Sequence, residues 1–239
     1  ANIGINTAAS TDISIHIPIP MKRSNGTIDL SLDYHAHVLP GCDHGSDGLE
    51  TSLRQLDMAA AAGIRTACAT PHFYPHRESV ESFLRRRAKC AQLLRAHLPE
   101  QAPQICLGAE VLICDGMERL DGLHRLCREG TNELLLEMPF YAWPASVRDT
   151  LYALLDLQDI QIVLAHAERY PAADIGQLAR DGVPLQLNAA CLTKPLHRKR
   201  CLSWTEGGCV RYLGSDIHML DSGYRDWEKC ARLLEKRMP

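Results

Sequence analysis

Aromatic side chains are scarce in this chain. They make up 5% of its 239 residues, too few to build a stacking platform for nucleic-acid bases. The formal charge of −3 supplies no basic field for phosphate backbones or lipid head groups. No apolar run approaches the ~20 residues of a membrane-spanning helix. The first residues have neither the basic start nor the apolar core of a secretory signal. Phosphate-cradling loops of the G-x-x-x-x-G-K-[ST] and G-x-G-x-x-G types do not occur. The ten cysteines contain no C-x-x-C pair, which excludes zinc ribbons and thioredoxin-like motifs. Most lie in apolar runs such as Thr66-Ala67-Cys68-Ala69, as small buried hydrophobes do in a reducing cytoplasm.

What the chain does contain is apolar mass, 46% of its residues, enough for one compact domain of the size usual for α/β barrels. Residues 1–27 read as an N-terminal extension, with Ile13–Pro20 a possible proline-blunted edge strand. Residues 28–239 read as a single domain. The stretch from Leu32 to Gly45 organises that domain. It begins as a strand, so His35 and His37, two apart, face the same way and present two imidazoles together. The turn that follows adds Asp43 and His44. A helix then starts, with Asp47 expected as N-cap and Leu49, Leu53, Leu56 and Ala60 as its apolar stripe, stopped by Gly63.

From there one unit repeats. Strands are predicted at Ile64–Thr70, Gln104–Gly108, Glu133–Leu136, Gln161–Ala165, Pro184–Leu187 and Val210–Gly214. Helices are predicted at Glu78–His97, Met117–Arg128 (weakly), Ala145–Leu157, Ala172–Asp181, Lys194–Glu206 and Asp221–Arg237. The basic run Arg85-Arg86-Arg87 reads as a solvated helix face. With the first strand the count is seven. Strands alternating with helices argue for a parallel sheet with right-handed crossovers. Almost every strand ends on a polar or ionisable residue, which favours a closed barrel over an open sheet with one switch point.

Those strand-end residues are His35, His37, Asp43, His44, His72, Glu110, Glu137, His166, Asp216 and His218. Each alone also suits a barrel-mouth salt bridge or a turn cap. Together they are imidazoles and carboxylates without a thiolate, a donor set for Mn, Fe or Zn, and there are enough of them for two or three ions. Burying so many ionisable groups without cations would be costly.

Several segments resemble the PHP (polymerase and histidinol phosphatase) family. They are Asp33-Tyr34-His35-Ala36-His37, Ala69-Thr70-Pro71-His72, Gly108-Ala109-Glu110, Leu134-Leu135-Leu136-Glu137-Met138-Pro139, Ala165-His166-Ala167-Glu168-Arg169-Tyr170, Gln186-Leu187-Asn188 and Gly214-Ser215-Asp216-Ile217-His218. More narrowly, they are similar to the bacterial metal-dependent protein-tyrosine phosphatases of capsule and exopolysaccharide synthesis. The resemblance implies a distorted seven-stranded β/α barrel with a three-metal cluster, usually activated by manganese. It implies His35, His37, Glu110 and Asp216 around one ion and Glu110, Glu137 and His166 around a second. His72 and His218, with the turn after His37, would serve a third. Arg169 matches a phosphate-contacting arginine, and His218 or Asp216 would assist the leaving group.

There are two departures. His44 stands where the family commonly has an aspartate ligand. Gly223 stands where it usually has an arginine, with Arg225 two residues further on as the replacement. The implied reaction is hydrolysis of phosphotyrosine by an ion-activated water, with no covalent phosphoenzyme. None of the cysteines is followed by arginine at the spacing of a C-x5-R loop. The implied partner is the phosphotyrosine tail of a polysaccharide-export kinase, with no nucleic acid and no membrane insertion; an oligomer is compatible. The alternatives are a phosphoesterase for histidinol phosphate or a sugar phosphate, and a metal-barrel binding protein with little turnover.

Overall fold

The computed structural model describes residues 27–220 and 223–237; the expected strand at Ile13–Pro20 lies outside them. Among the described residues nine strands run β1 (Leu32–Ala36), β2 (Thr66–Ala69), β3 (His72–Phe73), β4 (Gln104–Leu107), β5 (Glu110–Leu112), β6 (Glu133–Glu137), β7 (Gln161–Leu164), β8 (Leu185–Asn188) and β9 (Val210–Gly214). The helices are α1 (Leu49–Ala61), α2 (Val80–Arg95), α3 (Ala145–Leu155), α4 (Ala172–Arg180), α5 (Ala189–Thr193), α6 (Pro195–Glu206) and α7 (Gly223–Arg237). The expected helix at Met117–Arg128 is two short 3-10 turns, Met117–Arg119 and Leu123–Leu126. No helix among the described residues is long and apolar enough to cross a membrane.

All strand pairs among the described residues are parallel. Pro71, which has no N–H to give a ladder, separates β2 from β3, and Gly108-Ala109 separates β4 from β5. The first halves pair with each other (Cys68 opposite Cys106), as do the second halves (His72 opposite Glu110). Counted as two bent strands, they bring the nine segments to seven. The ring closes where Asp216 N–H donates to His35 C=O (2.8 Å) and His37 N–H to Ile217 C=O (3.1 Å). This is the expected PHP-type β/α barrel, and the strand breaks are its distortion.

Inside the barrel Tyr34, Cys68, Leu135, Val163 and Ala165 form a small core; the larger core lies between the strands and the helices. At the N-terminal end Glu133 accepts from Tyr212 Oη (2.6 Å) and pairs with Arg128 (2.8 Å) and Arg211 (3.2 Å). The Tyr34 and Tyr212 rings stack beside it at 3.9 Å. That end is therefore electrostatically satisfied.

Three local expectations change. α1 begins after Gly48, and Asp47 accepts from the Thr51 hydroxyl instead of capping the backbone. Its buried face is Ser52, Gln55, Leu56 and Ala59, because Gln55 Nε2 is drawn inward to His218 C=O (3.0 Å). α2 starts at Val80, two residues beyond the expected Glu78, and the side chain of Ser79 caps it. Arg86 and Arg87 leave the solvated face. Arg86 pairs with Glu78 and donates to the carbonyls of Cys42 and His72, and Arg87 donates to Gly108 C=O (2.6 Å). Loop carbonyls without sheet partners need donors, and these two arginines supply them. All ten cysteines are free.

Candidate metal centre

The C-terminal end of the barrel gathers the ionisable residues, and an irregularity in β1 aims the first two. The β1–β2 register shifts between Asp33 and Ala36. Tyr34 belongs to the inner core, Ala36 and Val38 to the outer one, and the ring nitrogens of His35 and His37 meet at 3.1 Å. Tyr34 and His35 thus both turn inward, as a β-bulge allows. Two more cluster residues, His166 (φ 29°) and Asp216 (φ 51°), have left-handed backbones rare outside glycine, local strain of the kind found at functional sites.

Three overlapping groups of donor atoms result, each with its members within 4.8 Å of one another: His35, His37, Glu110 and Asp216; His37, His72 and His218; and His72, Glu110 and Glu137. His166 Nε2 joins them at 2.7 Å from Glu110 Oε1 and 3.6 Å from Glu137. Glu110 Oε2 lies 3.2 Å from His35 Nε2, 3.2 Å from His37 Nε2 and 2.9 Å from His72 Nδ1. Yet Glu110 Oε2 and His72 Nδ1 are both buried without a hydrogen-bond partner. Buried polar atoms that converge without hydrogen-bond geometry suit a cation between them.

The surroundings fix which nitrogen of each ring faces the cluster. Gln186 Oε1 accepts the backbone N–H of His166 (2.7 Å), so the amide oxygen must point there. His35 Nδ1, 3.1 Å from that oxygen, must then donate to it, and Nε2 is left as a lone pair toward Glu110. His37 Nδ1 likewise donates to Asp43 Oδ2 (2.8 Å) and His218 Nδ1 to Asp216 C=O (3.0 Å). Gln186 Nε2 continues to Asn188 Oδ1 (3.0 Å), and Asn188 Nδ2 to Asp216 Oδ2 (3.0 Å). Tyr170 Oη lies 3.1 Å from His166 Nδ1. This supporting shell holds the metal-facing atoms in place.

Electrostatics point the same way. Burial alone would depress the His37 pKa, but Asp216, Asp43 and Glu110 outweigh it and hold it well above the ordinary value. Burial opposes protonation of His166 too, and Glu110 and Glu137 raise it to about 9. Against their own burial, Glu110 is held well below the carboxylate range by the His35 and His166 rings, and Asp216 by His35, His37 and Arg169. Without ions, protons on imidazoles balance the carboxylates; divalent cations would take their place. Burial, together with the His37 charge, lowers His218 to about 4. With its Nδ1 facing a backbone carbonyl, His218 turns Nε2 toward His72 Nε2, 3.5 Å away.

Arg169 sits at the rim. Its half-exposed guanidinium pairs with Asp216 Oδ2. His44 is exposed and in none of the three donor groups; its ring stacks on His72, centroids 4.5 Å apart. Asp43 holds the inner place in that turn, accepting from His37, from His72 N–H (2.9 Å) and from Gly45 N–H (2.9 Å). Gly45 is required there, because a Cβ would fall 2.3 Å from His37 Cβ. Arg225 is exposed on α7, and its side chain makes no hydrogen bond or ion pair to a described residue. His44 thus borders the cluster, its ring also 4.8 Å from that of His218, and Arg225 has no contact with it. The residues missed as contributors are Gln186, Tyr170 and Asp43 in its supporting role. The alternation Gln186-Leu187-Asn188, two amides on one strand face, is the one local signal of the first.

The family described as capsular polysaccharide synthesis, CpsB/CapC, matches residues 31–239. The tyrosine-protein phosphatase YwqE of Bacillus subtilis is 26% identical over 216 residues, covering 86% of this chain and 84% of that protein. A solved chain from work on YwqE of Bacillus subtilis and CpsB of Streptococcus pneumoniae, described as unique metal-dependent tyrosine phosphatases, superposes with a TM-score of 0.72. It is 23% identical, covers 87% of each chain, and bears on the fold.

Proposed function

The chain belongs to the CpsB/CapC family of capsular polysaccharide synthesis, and from that premise we propose that it is a metal-dependent protein-tyrosine phosphatase. The observation that carries the reading is Glu110 Oε2, a buried carboxylate oxygen ringed by the nitrogens of His35, His37 and His72 at 2.9–3.2 Å yet in hydrogen-bond geometry with none of them. His35, His37, His72, Glu110, Glu137, His166, Asp216 and His218 would hold two to three divalent ions. Manganese is the expected metal, and iron or zinc also suit the mixed nitrogen and oxygen donors. Such ions supply Lewis acidity, acidifying a water and neutralising charge on phosphoryl oxygens.

The chain's own residues do the rest. Arg169 offers N–H donors at the rim in the planar fork that matches a phosphoryl group, so its charge helps to bind and orient the substrate. Asp216 holds that guanidinium against the cluster. Gln186, Asp43 and the Asp216 carbonyl keep the ring protons of His35, His37 and His218 on the far side of each imidazole. No cysteine has the arginine of a C-x5-R loop, which fits transfer of the phosphoryl group to water and not to a thiol. The substrate would be the phosphotyrosine tail of a kinase of polysaccharide synthesis, in the cytoplasm, a compartment that suits ten unbridged cysteines.

The test is hydrolysis of a phosphotyrosine peptide by the full chain. Turnover should vanish on chelation, return with Mn²⁺ and persist after thiol alkylation. Turnover that survives exhaustive chelation would sink the proposal.

A further inference from the structure

We propose that Phe140 is a specificity-determining residue that seats the phenyl ring of the substrate. The proposal rests on the phosphotyrosine reading and names the wall that would select an aryl ester over an alkyl one. Phe140 lies on the loop from β6 to α3, three residues after Glu137. That loop is pinned from both sides. Tyr170 Oη accepts Met138 N–H (2.9 Å), Trp143 Nε1 donates to Pro139 C=O (3.0 Å), and the Trp143 ring packs edge-on against Tyr170 at 5.8 Å. Met138 and Trp143 are buried, while Phe140 is 58% exposed and Tyr141 66%.

A single exposed aromatic residue is ordinary on a protein surface. Its position here is what matters. The Phe140 ring lies 5.7 Å from that of His166 and 5.9 Å from that of Tyr170, with Arg169 Cζ 6.0 Å from its centroid. One ring thus borders both a cluster imidazole and the rim guanidinium. Met219 and Leu220, directly after His218, are also exposed. Four of the seven exposed large hydrophobic residues among the described ones therefore follow cluster residues closely in the chain.

The result is an ionic floor with an apolar edge. A phosphoryl group on a phenyl ring matches both parts; an alkyl phosphate leaves the edge wet. Phenyl against phenyl favours offset or edge-on contact, which a ring fixed by its loop offers at little ordering cost.

The test uses the Mn²⁺-loaded full chain. Phe140→Ala should lower the preference for a phosphotyrosine peptide over a phosphoserine peptide of the same sequence about tenfold, or about 1.4 kcal/mol, mainly through KM. Phe140→Tyr should keep the preference. Competitive inhibition by phenylphosphonate against methylphosphonate reads the same wall without turnover, and its ratio should shift alike. If wild type hydrolyses phosphotyrosine but neither ratio moves in Phe140→Ala, or both members of each pair weaken together, Phe140 has no such role and the phosphatase reading stands. A wild type that hydrolyses no phosphotyrosine peptide and does not favour phenylphosphonate removes both.

Discussion

Gln186→Leu isolates the supporting shell from the cluster itself. Gln186 is fully buried, and leucine is close to it in volume, so the substitution removes hydrogen bonds with little cavity. It strands three groups: the His166 N–H, the His35 Nδ1–H and Asn188 Oδ1. A buried polar group left unpaired costs about 1–3 kcal/mol. The His35 ring can relieve one of the three by moving its proton to Nε2, so the net loss of stability from the other two should be about 2–6 kcal/mol. That relief places the proton where the lone pair faced Glu110, so metal affinity should fall about 10–100-fold as well. Gln186→Glu keeps the acceptor for both His35 and His166 and should restore much of the affinity. Urea unfolding of the chelated protein gives the first quantity, and competition with a chelator of known affinity gives the second. A leucine variant within 1 kcal/mol of wild type, on the order of one lost ordinary hydrogen bond, and with unchanged metal affinity would refute the tautomer argument.

Arg169→Ala should lower kcat/KM by about 10²–10³ with metal content retained; loss of the metals as well would mark Arg169 as structural. Loading the chelated protein with Mn²⁺ near neutral pH should release protons, because His37 is held well above its ordinary pKa and His166 at about 9. Calorimetry in buffers of different ionisation enthalpy reads this, and a buffer-independent heat would exclude it. In the chelated protein, His166 has a raised folded pKa. Its contribution to stability is therefore full below the unfolded value of about 6.5 and is lost as pH rises through about 9. Urea midpoints across that range should fall, and a flat profile would contradict the assignment. At the opposite end of the barrel, Glu133→Gln should cost about 1–3 kcal/mol while metal content stays at the wild-type level. A loss of metal there would mean that the two ends are coupled.

Much of the architecture was legible because it is local. Alternating strand and helix patterns, with polar residues closing each strand, placed β6, β7 and β9 within a residue of their observed ends. The same pattern singled out the histidines and carboxylates at the barrel mouth. What failed locally depends on neighbours distant in sequence. The Arg85-Arg86-Arg87 run has the composition of a solvated face, yet loop carbonyls from other segments recruit two of its members. In the turn after His37, Asp43 and His44 are equal candidates on paper. Close approach of Gly45 to His37 puts Asp43 inside and leaves His44 outside, on the face of His72.

The sequence by itself determined the inventory: which side chains able to bind metal stand at strand ends, and that none of them is a thiol. That follows from periodicity and residue type alone. Only the tertiary structure decided their roles, since those rest on ring closure. The shift in β1 turns Tyr34 and His35 to the same side, and β8 brings Gln186 against a ring 151 residues away. Closure of β9 on β1 then sets Asp216 beside His35. Each imidazole's free lone pair is assigned by a partner that adjacency in the chain does not reveal.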